Sequence, residues 1–311
     1  MNQQPSVVVI LGPTAVGKTD LSLDIASRLK GEIVSVDSRL IYRGMDIGTA
    51  KPTLEQRQQV QHHMIDIADP DEDWSLARFR QVALEVIRDV HRHGHLPLLV
   101  GGTGQYITAI LEGWNPPPKP SDATFRKELE SFAAKQGRAA LHKRLEKVDP
   151  VTAKRIHENN LRRVIRALEI YHTTGIAPSE LREKVPPAFR SLRVGLNLPR
   201  QILYERIDAR IDEMIQSGFQ AEVERLLEQG YAPELPSMSA IGYQQMARVI
   251  SQESTIEEAV IEMRRLTRQF VRRQANWFKP DDPRIHWFDM RQERVEELIS
   301  DLILDWLHKE E

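Results

Sequence analysis

The chain has 311 residues, 41% hydrophobic and 28% charged, with a formal net charge of −2. That composition is globular and excludes a disordered chain, and the near-neutral balance means that any nucleic-acid contact must come from local clusters. Zero cysteines exclude disulfides and zinc–thiolate sites and fit a cytoplasmic protein; no apolar run nears the ~18 residues of a membrane span and the N-terminus lacks a leader pattern, so no membrane partner is expected.

Residues 6–11 form a short apolar run rich in β-branched side chains, which predicts a buried strand. It leads into Gly12-Pro13-Thr14-Ala15-Val16-Gly17-Lys18-Thr19, a fit to the phosphate-binding pattern G-x-x-x-x-G-K-[ST]. Leu21, Ile25, Ala26 and Leu29 then recur at helical spacing, with Gly31 expected as the helix cap. A loop between a strand and a helix N-terminus turns backbone N–H groups, the helix dipole and the Lys18 ammonium toward a diphosphate, and places Thr19 to ligate Mg²⁺. The motif leaves open which phosphate compound binds and what becomes of it.

Residues 32–36 read as a second strand ending at Asp37-Ser38, and residues 39–52 as an ordered loop. A helix is expected from a Ser75 cap to about His93, stopped by Gly94. Residues 96–100 form a third strand that delivers Gly101-Gly102-Thr103-Gly104 to the same sheet edge as the phosphate loop. Four prolines among residues 116–120 then read as a stiff linker, a charge-rich helical stretch runs to about His172, and a second breaker region covers residues 175–187. Strands return at 192–198 and 285–288 within a mostly helical remainder. The expected architecture is α/β: a P-loop NTPase-like parallel sheet flanked by helices, made of residues 1–115 and 191–311, with a mainly helical insertion domain at 116–190.

Asp37, a carboxylate at a strand end beside a phosphate loop, could bind Mg²⁺, act as a general base, or simply be a turn aspartate. Thr103 brings a hydroxyl to the same edge, although a turn threonine among glycines accounts for it as well. The third strand lacks the terminal acidic residue of hydrolytic P-loop ATPases, which weakens a motor or switch reading. Two helices carry arginine stripes. Arg162, Arg163 and Arg166 lie opposite Leu161, Val164, Ile165 and Leu168. Arg264, Arg268 and Arg272, with Arg265 beside them, lie opposite Met263, Leu266, Phe270 and Trp277. Such stripes suit phosphates or RNA backbone, or form solvated, salt-bridged faces. Arg206 and Arg210 could close over a diphosphate or pair with Asp208, Asp212 and Glu213. His91, His93 and His95 suggest a metal cluster, but two lie near a predicted helix C-terminus, where histidine is favoured electrostatically, and their alternation does not stack them on one helical face; His62 and His63 read as packing or surface. Val295, Leu298, Ile299, Leu302, Ile303 and Trp306 read as a core-facing stripe.

In joint order the chain resembles the tRNA dimethylallyltransferases, also called tRNA isopentenyltransferases, of bacterial type. The resemblance runs through the phosphate loop, Asp37-Ser38, Ile41-Tyr42, the stretch Gly44 to Pro52, Gly101-Gly102-Thr103-Gly104, Asn160-Leu161-Arg162-Arg163, Ala240-Ile241-Gly242-Tyr243, and Thr267-Arg268-Gln269-Phe270 with Arg272-Arg273-Gln274 before Trp277-Phe278. Arg272 and Asn276 stand where the family usually has lysine and often threonine. The resemblance implies transfer of a dimethylallyl group from dimethylallyl diphosphate to N6 of the adenine 3′-adjacent to the anticodon, releasing pyrophosphate. It implies that the phosphate loop holds the diphosphate, with Lys18, Arg210 and Mg²⁺ on Thr19 neutralising the leaving group. It also implies Asp37 as base, Thr103 in the reaction channel, and tRNA contacts from Asp37, Ser38, Arg39, Leu40, Thr103, Arg126, Arg162, Arg163 and Arg166. The tRNA would be engaged through its anticodon stem-loop by a monomer. Two other readings share these residues: a P-loop small-molecule kinase, and a nucleotide-dependent RNA-binding protein without transfer chemistry.

Overall fold

The computed structural model describes residues 4–114, 122–181, 185 and 187–309. In chain order the first part holds β1 (Ser6–Leu11), α1 (Lys18–Leu29), β2 (Gly31–Ser35), α2 (Leu54–Gln59), β3 (His62–His63), α3 (Leu76–Arg92), β4 (Leu96–Gly101) and α4 (Gly104–Leu111). Then come α5 (Ala123–Gln136), α6 (Arg138–Val148), α7 (Pro150–Arg155) and α8 (Leu161–Thr174). The last part holds β5 (Arg190–Asn197), α9 (Arg200–Gln216), α10 (Phe219–Glu228), α11 (Tyr243–Ile250), α12 (Ile256–Gln274), β6 (Ile285–Asp289) and α13 (Val295–His308). None of the described helices is long and apolar enough to cross a membrane.

The chain divides into two compact units. The first comprises residues 1–74, 81–108 and 188–311 and contains a six-stranded sheet in the order β3-β2-β4-β1-β5-β6, with every pairing parallel. Its centre is β1, hydrogen-bonded to β4 in the register Val8 to Leu98 and to β5 in the register Val8 to Leu192. Val7, Val8, Val9 and Ile10 are fully buried, as a central parallel strand covered on both faces demands. Each contributes roughly 1.5–3 kcal/mol of burial. The carboxyl ends of β1, β2 and β4 deliver the phosphate loop, Asp37 and Thr103 to one edge, where ligands of parallel sheets bind.

The second unit comprises residues 75–80 and 109–187. It has its own core, built from Leu129, Leu141, Leu145, Val164, Ile165 and Leu168. Asp149, only 1% exposed, caps α7 through Thr152 N–H and also accepts Ser179 N–H, both at 2.8 Å. The expected proline linker falls on residues 115–121, outside the described residues, as do 182–184 and 186 of the second breaker region.

Several local expectations are corrected. Gly31 is not the cap of α1: Lys30 takes the left-handed conformation (φ 49°) and Gly31 opens β2 against Leu96 and Leu98. His62 and His63 form a strand too short for any periodicity to reveal. On α13, Val295, Ile299 and Ile303 are buried, but Leu298 is 41% exposed, so the core-facing stripe is narrower than its composition suggests. Arg166 does not project freely with its neighbours; it is half-buried, 3.7 Å from Glu169.

Candidate active site

The phosphate loop is shaped by two backbone departures. Ala15 (φ 64°) and Gly17 (φ 106°) both sit at positive φ, and the second is a conformation that glycine adopts without a Cβ penalty. Such alternation turns successive N–H groups inward, ahead of the N-terminus of α1. The Lys18 ammonium folds back onto the loop and donates to the Gly12 carbonyl at 3.1 Å and the Pro13 carbonyl at 2.7 Å. Burial pushes Lys18 down to about 8, against the attraction of Asp37 and with the repulsion of Arg210 adding to it.

Two of the three arginines of α9 reach the loop. Arg210 donates to Thr14 Oγ1 at 3.4 Å, and Arg206 donates to the Ala15 and Val16 carbonyls, each at 3.5 Å. Arg210 lines the cavity, and its burial lowers its proton affinity while Asp37 raises it. Half-buried cations gain more from the arrival of an anion than exposed ones, because the surrounding dielectric is lower.

A cavity of about 370 Å³ opens at this edge, entirely within the first unit. Thr14, Asp37, Ser38, Arg39, Thr103 and Arg210 line it, together with Gly48 and Thr49, Ser239 to Ile241, and one face of α12. Asp37 is both a turn residue and a wall of the site: Oδ1 accepts the Arg39 N–H at 2.8 Å, leaving Oδ2 for a ligand. Thr103 likewise starts α4, its carbonyl accepting Tyr106 N–H at 2.9 Å, while the residue faces the cavity. Arg39 is already committed, donating to the Pro236 and Ser237 carbonyls and to Ser239 Oγ. Leu40 is half-buried and does not line the cavity.

Gln274, which the sequence marks only as part of the family resemblance and with no role of its own, belongs to the site. It is 6% exposed; its Oε1 accepts the Thr14 N–H at 3.0 Å and its Nε2 donates to the Gly102 carbonyl at 3.1 Å. One side-chain amide thus ties the phosphate loop to the Thr103 loop. The available signal was positional: Gln274 lies four residues beyond Phe270 on the face of Met263, Leu266, Phe270 and Trp277, a polar side chain where an apolar one is expected. Met263, Phe270 and Trp277 of that stripe line the cavity, together with Thr267 and Gln274, and Leu266 does not.

The opposite face of α12 is paired. Arg264 donates to Asp212 at 2.5 Å, Arg268 binds Asp208, and Arg272 Nε donates to Tyr204 Oη at 3.2 Å. In the second unit, Arg126 makes a two-pronged pair with Glu169 at 2.7 and 2.9 Å, with Arg166 nearby, whereas Arg162 and Arg163 are exposed and have no ion-pair partner among the described residues. His91, His93 and His95 do not converge: His91 meets the Ser6 carbonyl and His95 meets Glu32. Among the described residues no group of three or more His, Asp or Glu side chains could hold a metal ion. The oxygen donors at hand, the Thr19 hydroxyl and the Asp37 carboxylate, suit Mg²⁺, which keeps several waters and is held largely by substrate phosphates.

The IPP transferase family model matches residues 40–281. The tRNA dimethylallyltransferase of Thermomicrobium roseum is 46% identical over 94% of this chain and 88% of its own length. That of Roseiflexus castenholzii is 50% identical over 88% of this chain and 89% of its own. Among solved structures, the tRNA isopentenylpyrophosphate transferase of Bacillus halodurans superposes with a TM-score of 0.72 at 41% identity, covering 98% of this chain and 97% of that one. A eukaryotic dimethylallyltransferase acting on tRNA superposes with a TM-score of 0.84 at 28% identity, covering 97% and 79%.

Proposed function

The chain belongs to the IPP transferase family, and from that premise we propose that it moves a dimethylallyl group from dimethylallyl diphosphate to N6 of the adenine 3′-adjacent to the anticodon of tRNA, releasing pyrophosphate. The observation that carries the reading is the convergence of the phosphate loop, Asp37 and Thr103 on one cavity with Arg210 half-buried in its wall.

The loop amides from Ala15 to Thr19, with Lys18 and Arg210, receive the diphosphate. As the allylic C–O bond breaks, its electron pair leaves with pyrophosphate, and these cations stabilise the growing negative charge. Lys18, held partly neutral by burial, is drawn to its charged form as the anion enters. The Thr19 hydroxyl would hold Mg²⁺, which would supply further charge neutralisation.

The adenine N6 lone pair is delocalised into the ring, so attack on the allylic carbon requires alignment and a base. Asp37 takes the N6 proton through the oxygen that Arg39 N–H leaves free. Thr103 orients the reacting groups from the opposite loop. The target base must leave the stacked anticodon loop, at a cost of about a few kcal/mol that RNA contacts offset. Ser38 and Arg39 are assigned to the flipped base, Leu40 to support beneath it, and Arg162 and Arg163 to RNA phosphates. Arg126 and Arg166 reach RNA only by sharing or leaving Glu169.

The test mixes protein, Mg²⁺, dimethylallyl diphosphate and unmodified tRNA, then digests the tRNA and looks for prenylated adenosine. Product at the adenine beside the anticodon is expected. Its absence, together with ATP-dependent phosphorylation of a small acceptor, would instead establish the kinase reading.

A further inference from the structure

Glu222 lies in the first turn of α10, outside the cavity lining, and is 2% exposed. Its carboxylate has a full set of partners. Oε2 accepts the N–H groups of Asp46 at 2.9 Å and Ile47 at 2.7 Å; Oε1 accepts the Gly48 N–H at 3.2 Å and the Tyr243 hydroxyl at 2.7 Å. Two oxygens with about four lone-pair sites and four donors leave no capacity for substrate or for a proton in transit. Glu222 is therefore not a base; it is an anchor. Its three backbone donors form a concave anion nest of the kind that elsewhere cradles phosphate, here filled by the protein's own carboxylate.

The anchor joins two walls of the cavity. Gly48 and Thr49 form one, continuing from the anchored amides, and Ser239, Ala240 and Ile241 form another, just before Tyr243. The join is close-packed. Phe219 and Tyr243 meet edge to face at 5.1 Å, and a Cβ on Gly48 would come within 2.2 Å of Phe219 Cε2 and 2.7 Å of Tyr243 Cε2. Only a glycine lets the loop lie flat on that aromatic pair. Burial and the Glu222 charge both raise Tyr243 far above the usual phenol range, so its hydroxyl stays a donor.

We propose that Glu222 is a positioning residue for the acceptor side of the reaction: it fixes the 48–49 wall against the 239–241 wall and so sets where the incoming base can sit relative to the diphosphate. The inference rests on the prenyl-transfer reading of the cavity. The phosphate loop is anchored separately, through Lys18, Arg210 and Gln274.

The experiment uses the full chain with Glu222→Gln and Tyr243→Phe. Glu222→Gln keeps the volume but points an amide NH₂ at groups that need acceptors. Dimethylallyl diphosphate affinity, measured by calorimetry without RNA, should stay within about twofold of wild type. Prenyl transfer to an anticodon stem-loop with both substrates saturating should fall ~10-fold or more, because small displacements of reacting groups are costly. Tyr243→Phe frees only the 239–241 wall; it should raise KM for the RNA several-fold with a smaller loss in kcat, and it carries the test if Glu222→Gln does not fold. Folded variants with wild-type kcat and KM would overturn the proposal. So would diphosphate affinity falling in step with the transfer rate, which would place the effect at the phosphate loop. A wild-type protein that fails to prenylate RNA would remove the reading itself, whereas a competent wild type beside an unaffected Glu222→Gln would remove this inference alone.

Discussion

The cavity of the first unit and helix α8 of the second use charge in opposite ways. At the cavity Arg39 is held by the 236–239 turn, Arg210 is half-buried beside Thr14 and Arg273 lies over the Phe270 ring, while in the adjoining phosphate loop Lys18 is held by two carbonyls. On α8, Arg162 and Arg163 stand exposed with no ion-pair partner among the described residues. Desolvated, oriented charges act on a reacting centre with little reorganisation; exposed ones act on a polyanion through counterion release, and salt weakens them. The arginines of α12 separate pattern from role. Their spacing matches a phosphate-gripping stripe, yet Asp208 and Asp212 hold Arg268 and Arg264. A stripe shows where guanidinium groups point, and its partners decide whether they are available.

If the cavity is built for chemistry, its carboxylate should be the most costly group to lose. Asp37→Ala is expected to slow the chemical step by ~10²–10⁴-fold while leaving RNA affinity near wild type. Single-turnover transfer beside an RNA-binding isotherm measures both. An unchanged rate with weakened binding would move Asp37 to the recognition side of the comparison.

The next effect is on pH. Lys18 is pushed down to about 8 in the free protein from an ordinary value of 10.5. Diphosphate binding favours its charged form, so above about pH 8 binding must take up a proton. Affinity should then fall as pH rises, by at most about tenfold per unit. Stability moves the other way: the unfolded chain holds the extra proton between these two values, so Lys18 makes the fold more stable as pH climbs through that window. Calorimetry near pH 9 in two buffers of different ionisation enthalpy should show uptake approaching one proton. A flat affinity profile would mean that the ammonium is not drawn to its charged form by the diphosphate.

The backbone of this site was legible in the sequence because its signals are local. A β-branched run, a glycine-spaced loop and an amphipathic helix identify β1, the phosphate loop and α1 within a single stretch. Asp37 and Thr103 were visible as strand-end residues because a parallel sheet sends its carboxyl ends to one edge. Gln274 and Glu222 were not singled out because their partners are distant in sequence: Thr14 lies 260 residues from Gln274, and Asp46 lies 176 from Glu222. Both do leave a trace. Gln274 interrupts the apolar stripe of α12, and Glu222 sits among Phe219, Val223 and Leu226, all buried. A polar residue on an apolar stripe signals a buried partner, although not which one. The partners of the α12 arginines were equally hidden, since Asp208 and Asp212 belong to another helix.

A smaller effect tests the recognition side. Replacing Arg162 or Arg163 by alanine should weaken tRNA binding a few-fold and reduce the slope of log affinity against log salt by about one for each phosphate left without its guanidinium. Arg264→Ala should leave that slope unchanged and cost at most ~1 kcal/mol of stability, because its charge is already spent on Asp212 at a part-exposed site. Equal salt slopes for the α8 and α12 variants would erase the distinction drawn between them.

The smallest expected effect on activity is at Glu32, which asks whether a buried, fully engaged carboxylate matters to the reaction wherever it lies. Glu32 is 7% exposed near the start of β2, at the sheet edge opposite the cavity, hydrogen-bonded to His63 at 2.5 Å and to His95. Burial pushes its carboxyl up, but the two histidine hydrogen bonds outweigh that and leave it below its ordinary 4.5. A depressed carboxylate contributes stability that is present above the unfolded value and lost as pH falls through the folded one. Glu32→Gln should therefore cost ~1–3 kcal/mol at neutral pH, and the gap to wild type should close as the pH drops below about 4.5. Denaturant melts across that range measure it, with prenyl-transfer kinetics at neutral pH as the second readout. Unchanged kcat and KM in the folded variant would confine Glu32 to holding β2, β3 and β4 together, whereas a loss of kcat comparable to that of Glu222→Gln would mean that any buried carboxylate in this sheet controls the site and that the position of Glu222 behind the cavity is not what distinguishes it.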